Sequence, residues 1–157
     1  MMLSKQACAE LDREINKYPT GQSRAAVMAA LRIAQEERGW INNDLIMWIA
    51  DYLSLEPIQV AEVATFYSMY DLEPVGGHKI SVCTNVSCML RGSDGIVRHL
   101  EKRLGIELGE TTEDGRFTLR EAECLAACGG APMMQIGKIY YENLTQKSVD
   151  MILDNLE

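Results

Sequence analysis

Apolar residues change their spacing about halfway along the chain. Up to about residue 75 they recur every three or four positions, the period of amphipathic helices. Ser4 can cap a first helix whose Cys8, Leu11 and Ile15 share a face, and Pro19-Thr20-Gly21 breaks it. Ser23 is the expected cap of a second helix, lined by Val27, Leu31 and Ala34 and stopped at Gly39. Asn43 is the expected cap of a third, with Leu45, Ile46, Ile49 and Leu53 inward. Pro57 suits the first turn of a fourth. The run Val60–Tyr70 is so rich in β-branched and aromatic residues that its later half fits helix and extended chain equally. Residues 71–78, with Pro74-Val75-Gly76-Gly77, read as a linker.

Beyond the linker, strand and helix periods alternate. Lys79–Cys83 alternates polar and apolar as a strand does. Ser93 or Asp94 can start a helix with Ile96, Val97, Leu100 and Leu104 in one stripe and Gly105 as its stop. Asp114-Gly115 is a turn before a strand at Phe117–Leu119. Met133–Ile136 and Ile139–Tyr141 flank Gly137-Lys138 as a hairpin would. Thr145 can cap a last helix with Val149, Ile152, Leu153 and Leu156 inward. The order β-α-β-β-β-α is close to a thioredoxin-like arrangement. The patterns read as fold class α+β, helices over residues 1–75 followed by a small sheet covered by helices over residues 76–157.

Composition narrows the function. Apolar residues make up 47% of the 157, enough for packed cores. The net charge of −8 argues against nucleic acid and anionic membrane surfaces as partners. No apolar run follows the N-terminus as in a signal peptide, and none approaches the ~20 residues of a membrane span. No membrane insertion and a reducing compartment are expected, and there structural disulfides are rare.

Four of the five cysteines form two close pairs, Cys83-x4-Cys88 and Cys124-x3-Cys128, both expected in loops just past strand ends. Four thiolates can close a zinc site, a [2Fe–2S] cluster or two disulfides. The odd Cys8 fits a disulfide framework poorly. Neither pair has the two-residue spacing common in zinc knuckles and thioredoxin redox motifs, and C-x4-C has a precedent in plant-type ferredoxins. Spacing alone leaves the cluster, zinc and thiol chemistry all open. Gly92, Gly129 and Gly130 would let the chain pass close to a bulky inorganic core.

At these residues the sequence resembles the [2Fe–2S] subunit, often called the 24-kilodalton or E subunit, of the NADH-oxidising module of respiratory complex I. The resemblance runs over nearly the whole chain. It is carried by the two cysteine pairs, Ala131-Pro132, Asp114-Gly115-Arg116-Phe117, Gln35-Glu36-Glu37-x-Gly39-Trp40-Ile41 and Val63-Ala64-Thr65-Phe66-Tyr67. The family usually has Gly where this chain has Ala126. The resemblance implies a helical bundle before a thioredoxin-like [2Fe–2S] ferredoxin domain. It implies that Cys83 and Cys88 bind one iron and Cys124 and Cys128 the other. It implies an electron-transfer subunit of NADH:quinone oxidoreductase with no complete active site of its own. The partners it implies are a flavoprotein subunit carrying FMN and the NADH site, and a larger iron–sulfur subunit. The place it implies is cytoplasmic, in the peripheral arm of an inner-membrane complex. The equivalent subunits of soluble NAD-linked hydrogenases and formate dehydrogenases share the architecture, and a zinc-binding interaction module is the alternative from a different class.

The remaining residues agree with a carrier rather than a complete enzyme. No G-x-G-x-x-G, P-loop, Ser/His/Asp set or paired carboxylates mark a nucleotide or hydrolytic site, and no catalytic residue is assigned. NADH gives up two electrons as hydride and a [2Fe–2S] cluster moves one, so the flavin between them belongs on a partner. Cys8, Met133-Met134, His78 and His99 read as packing or surface residues. Glu121 and Glu123 flank Cys124, where negative charge would oppose reduction of a cluster.

Overall fold

The structure is a computed structural model that describes residues 2–156. Backbone contacts divide it into two compact units, Met1–Pro74 and Val75–Glu157.

The first unit has four helices: α1 (Lys5–Ile15), α2 (Val27–Arg38), α3 (Asn43–Leu53) and α4 (Pro57–Phe66). Ser4 caps α1 by accepting the Ala7 N–H at 3.2 Å. The second and third caps differ from those expected. Ser23 opens a 3₁₀ turn, and its hydroxyl donates to the Leu53 carbonyl at 2.7 Å, tying α3's end down in place of a cap. Asn42 rather than Asn43 caps α3, because its Oδ1 reaches the Leu45 N–H at 2.8 Å. Leu11, Leu31, Leu45, Ile49 and Val60 interdigitate at the centre, fully buried.

The ambiguous run resolves at Phe66. Tyr67 is extended (φ −93°, ψ 116°), and the chain leaves the helix there. Gln35 of α2 is the reason. Its Nε2 donates to the Met69 carbonyl at 3.0 Å, and its Oε1 accepts the Asp71 N–H at 2.7 Å. Tyr70 turns inward and donates to the Met28 carbonyl at 2.9 Å. One amide and one phenol thus hold Met69–Asp71 across α2, and a continued helix would break these bonds.

The second unit is a four-stranded sheet with helices. Its strands are β1 (His78–Cys83), β2 (Phe117–Ala122), β3 (Met134–Ile136) and β4 (Ile139–Tyr141), in the order β2-β1-β3-β4. β1 and β2 run parallel, and the other pairs are antiparallel. Between β1 and β2 lie α5 (Val86–Leu90) and α6 (Ser93–Leu104), and α7 (Gln146–Asp154) closes the chain. The short α5 was not legible in the sequence pattern. Thr145 caps α7 in a box with Ser148. Ile80, Val82, Leu100, Leu119, Met134 and Val149 form the fully buried core. His99 is less exposed than a surface reading implies: its Nε2 lies 2.8 Å from Asp150 Oδ1, linking α6 to α7. His78 opens β1 and lies 5.5 Å from the Phe117 ring, which places it in the sheet and not in a linker.

Gly76 sets the start of the β1–β2 pair. Its N–H donates to Thr118 Oγ1 at 2.6 Å. A Cβ there would lie 2.9 Å from both C and N of Phe117, backbone atoms that have little room to yield. We expect Gly76→Ala to lower stability by about 1–3 kcal/mol through overpacking. A second expectation concerns the helical unit: Leu31→Ala removes a fully buried side chain and should cost about 2–5 kcal/mol. Urea unfolding followed by circular dichroism checks both, and a midpoint unchanged by Gly76→Ala would mean that the strand shifts to accept the methyl.

Candidate metal centre

Two pleats bring the cysteines together. Side chains along a strand alternate between its faces. On β1, Val82 enters the sheet core, so Cys83 faces the opposite way. Met134 and Met133 divide in the same manner: Met134 joins the sheet core, and Met133 joins Cys83. The result is a second apolar cluster of Cys83, Cys88, Ala131 and Met133, with Leu125 and Ala127 packed against it. Met133 is therefore part of the site's apolar wall, and its carbonyl accepts the Cys83 N–H at 3.1 Å.

Register delivers the other pair. Cys83 lies opposite Ala122 at the carboxyl ends of parallel strands. The chain leaving β2 therefore reaches Cys124 two residues later, beside Cys83. Side chains reinforce this pairing: Thr84 Oγ1 donates to Glu121 Oε1 at 2.5 Å, and Asn85 Nδ2 to the Glu123 carbonyl at 2.9 Å. The four cysteines do not all sit in loops as expected. Cys83 ends β1, Cys88 lies within α5, and Cys128 begins a 3₁₀ turn, Cys128–Gly130; Cys124 alone of the four lies in irregular chain.

The thiols differ in exposure and in environment. Cys83 and Cys88 are 3% and 2% exposed, whereas Cys124 and Cys128 are open to solvent. Burial alone would push the Cys83 thiol up. Backbone N–H groups of Asn85 and Leu125, with hydrogen bonds from Cys88 and Cys124, outweigh it and bring the thiol below its ordinary range. Cys88 moves up instead, through burial first and then through its hydrogen bond to Cys83, with the charges of Cys83 and Cys128 adding to the effect. These contacts make all four thiols neighbours.

One more donor comes from a strained position. Ala126 has φ +57°, the left-handed region in which Gly is at ease. In that conformation its N–H donates to Cys124 Sγ at 3.4 Å. Ala thus adopts here the conformation that Gly allows without strain. No side chain marks which loop amides face the sulfurs; they are those of Asn85, Leu125 and Ala126. Gly92 carries φ +95° with open space around it, Gly129 faces open space, and Gly130 faces the side chain of Glu142.

The donor set fits iron and sulfide. It consists of thiols alone, half-buried in an apolar wall and supplied with N–H donors aimed at sulfur, the means by which proteins stabilise such clusters. Cys8 stands apart, packed against the core of the helical unit.

Known proteins bear on this geometry. The E subunit of the NADH-quinone oxidoreductase of Rickettsia conorii is 47% identical over 144 residues, 91% of this chain and 86% of the relative. An E subunit of the same enzyme from Rhizobium meliloti, the one numbered 2, is 44% identical over 146 residues, 93% of this chain and 86% of the relative. The H2-reduced crystal structure of an NAD+-reducing [NiFe]-hydrogenase superimposes with a TM-score of 0.74 over 83% of this chain. At 22% identity that likeness speaks for the fold alone, and this chain spans 22% of the hydrogenase chain's length. Residues 11–157 match the sequence profile of one family, and the chain accordingly belongs to the thioredoxin-like [2Fe-2S] ferredoxins.

Proposed function

We propose that the protein is the electron-transfer subunit of an NADH:quinone oxidoreductase, with a [2Fe–2S] cluster held by Cys83 and Cys88 on one iron and Cys124 and Cys128 on the other. The observation that carries this reading is the meeting of four thiols at the carboxyl ends of two parallel strands. When bound, a [2Fe–2S] cluster accepts and releases one electron at a time. The protein's own residues do the rest. Cys83 and Cys88 anchor the buried side, while Ala131, Met133 and Leu125 keep water from it. The amides of Asn85, Leu125 and Ala126 stabilise negative charge on sulfur. Cys124 and Cys128 form the exposed side, where an electron can enter or leave over a short distance.

Names of the relatives, 44–47% identical, favour the quinone-linked enzyme over a hydrogenase, whose likeness lies in the fold. An FMN- and NADH-binding flavoprotein subunit supplies the electrons in this reading, and a larger iron–sulfur subunit is the second neighbour. No helix among the described residues is long and apolar enough to cross a membrane. The place proposed, in the peripheral arm on the cytoplasmic side, rests instead on the likeness to E subunits of NADH-quinone oxidoreductases.

The ligand assignment is tested by single Cys→Ser replacements. Replacing Cys83, Cys88, Cys124 or Cys128 should abolish or strongly alter the EPR signal of the reduced cluster, and Cys8→Ser should leave it intact. The purified protein should be red-brown, with two irons and two sulfides per chain. Stoichiometric zinc with no visible absorption would overturn the assignment.

The helical unit supports a docking role. Its clamp at Met69–Asp71 leaves Phe66 78% exposed, with Tyr67 edge-on at 5.0 Å and Met69, three residues on, also exposed. We expect these residues to meet the flavoprotein subunit. Phe66→Ala should weaken binding of the full-length protein to that subunit about tenfold or more, as loss of a buried aromatic anchor does. Its thermal midpoint should hardly move, since so exposed a side chain adds little to the fold. Unchanged affinity in a surface plasmon resonance titration would remove Phe66 from the interface.

A further inference from the structure

The cysteine loop is crossed by a side chain that the function just proposed does not use. Gly130 ends the 3₁₀ turn that Cys128 begins, and it is buried. A Cβ on Gly130 would lie 2.7 Å from both Cβ and Cγ of Glu142, and closer still to its carboxyl carbon. The stem of Glu142 therefore lies across the bare face of Gly130, in space that any other residue at position 130 would fill. Backbone bonds hold the two segments together on either side of this crossing: Asn143 N–H to the Gly130 carbonyl at 2.6 Å, and Leu144 N–H to the Pro132 carbonyl at 2.9 Å. Neither a hydrogen bond nor an ion pair occupies the Glu142 carboxylate among the described residues. Its charge is left without a local counterion.

Position decides what that charge does. A 3₁₀ turn rises about 2 Å per residue, so Cys128, two residues before Gly130, is only a few ångströms away along the turn. A carboxylate against Gly130 then lies within about one Debye length, ~10 Å at 0.1 M salt, of the sulfurs. Of the neighbouring acids, Glu121 already accepts a hydrogen bond from Thr84, and Glu123 is fixed through its carbonyl alone. Glu142 is the acid whose stem packs directly against the backbone of the cysteine loop.

We infer that Glu142 is a positioning residue that lowers the reduction potential of the cluster, and that residue 130 is Gly so that this carboxylate can lie over the loop. Adding an electron adds negative charge next to a fixed negative charge, so reduction is opposed. Water screens an exposed carboxylate, and the effect weakens as salt rises. The inference rests on the cluster reading above.

The test is an EPR-monitored redox titration of the full-length protein at low and high salt. Glu142→Gln keeps the shape of the side chain and should raise the midpoint, Glu142→Lys should raise it further, and Glu142→Asp should stay near wild type. High salt should shrink the differences. Gly130→Ala, which must displace the Glu142 side chain, should raise the midpoint too and add little in combination with Glu142→Gln. Glu113→Gln, which removes an exposed charge in the turn before β2, should leave it unchanged. Three results would overturn the inference: a midpoint that Gln and Lys leave in place, an equal shift in Asp and Gln, or loss of the cluster in both Gln and Lys. The last two would make Glu142 a packing residue. A wild-type protein with no visible absorption and no EPR signal would instead bring down the cluster reading itself, which keeps the two failures apart.

Discussion

The parallel register of β1 on β2 is the constraint on which the site depends. Cys83 lies opposite Ala122, so two chain segments 39 positions apart in sequence leave the sheet side by side. The pleat then sorts neighbours: Val82 and Met134 go to the sheet core, and Cys83 and Met133 go to the site. A shift of one residue in either strand would exchange these faces, burying a thiol in the hydrophobic core and turning a core side chain outward. Gly76 and Thr118 hold that register at one end, and Thr84 with Glu121 holds it at the other.

Within the site, burial and hydrogen bonding pull in opposite directions. Apolar surroundings oppose a thiolate, whereas N–H donors favour it. At Cys83 the donors win, because the turns after β1 and β2 both point amides at the same sulfur. At Cys88 burial wins, and the thiol stays protonated more readily. The strained Ala126 belongs to the same balance. Its left-handed backbone costs on the order of 1 kcal/mol, and the return is an N–H on the exposed Cys124 sulfur.

The helical unit is organised around a polar contact in the same way. Gln35 holds the segment after α4 across α2, and the aromatic residues at the end of α4 and just beyond it divide accordingly. Tyr70 goes inward, where its hydroxyl finds a carbonyl, and Phe66 stays outside. A run that looks uniformly apolar in sequence thus separates into a core anchor and an exposed face. Hydrophobicity alone could not make that division, since both residues are large aromatics.

The sequence by itself determined the elements whose causes are local. The helical period of Leu11, Leu31 and Ile49, the Thr145 cap, the stops at Gly39 and Gly105, and the Asp114-Gly115 turn all depend on residues within a few positions of one another. The two cysteine pairs were legible for the same reason, as close spacings of a reactive side chain. Tertiary structure decided what depends on distant partners. Ser23 was drawn from its cap by the Leu53 carbonyl 30 residues away. Cys88 came to lie on a short helix, too brief to leave a periodic pattern. The amides that face the sulfurs carry no signature at all, because every residue but proline has one and only the path of the chain aims it. Glu142 meets Gly130 through a hairpin that returns the chain to the site it had just left. Local pattern fixes which way a residue prefers to turn, whereas contact across tens of residues is settled by the packing of whole elements, and the chemistry of this site is made of such contacts.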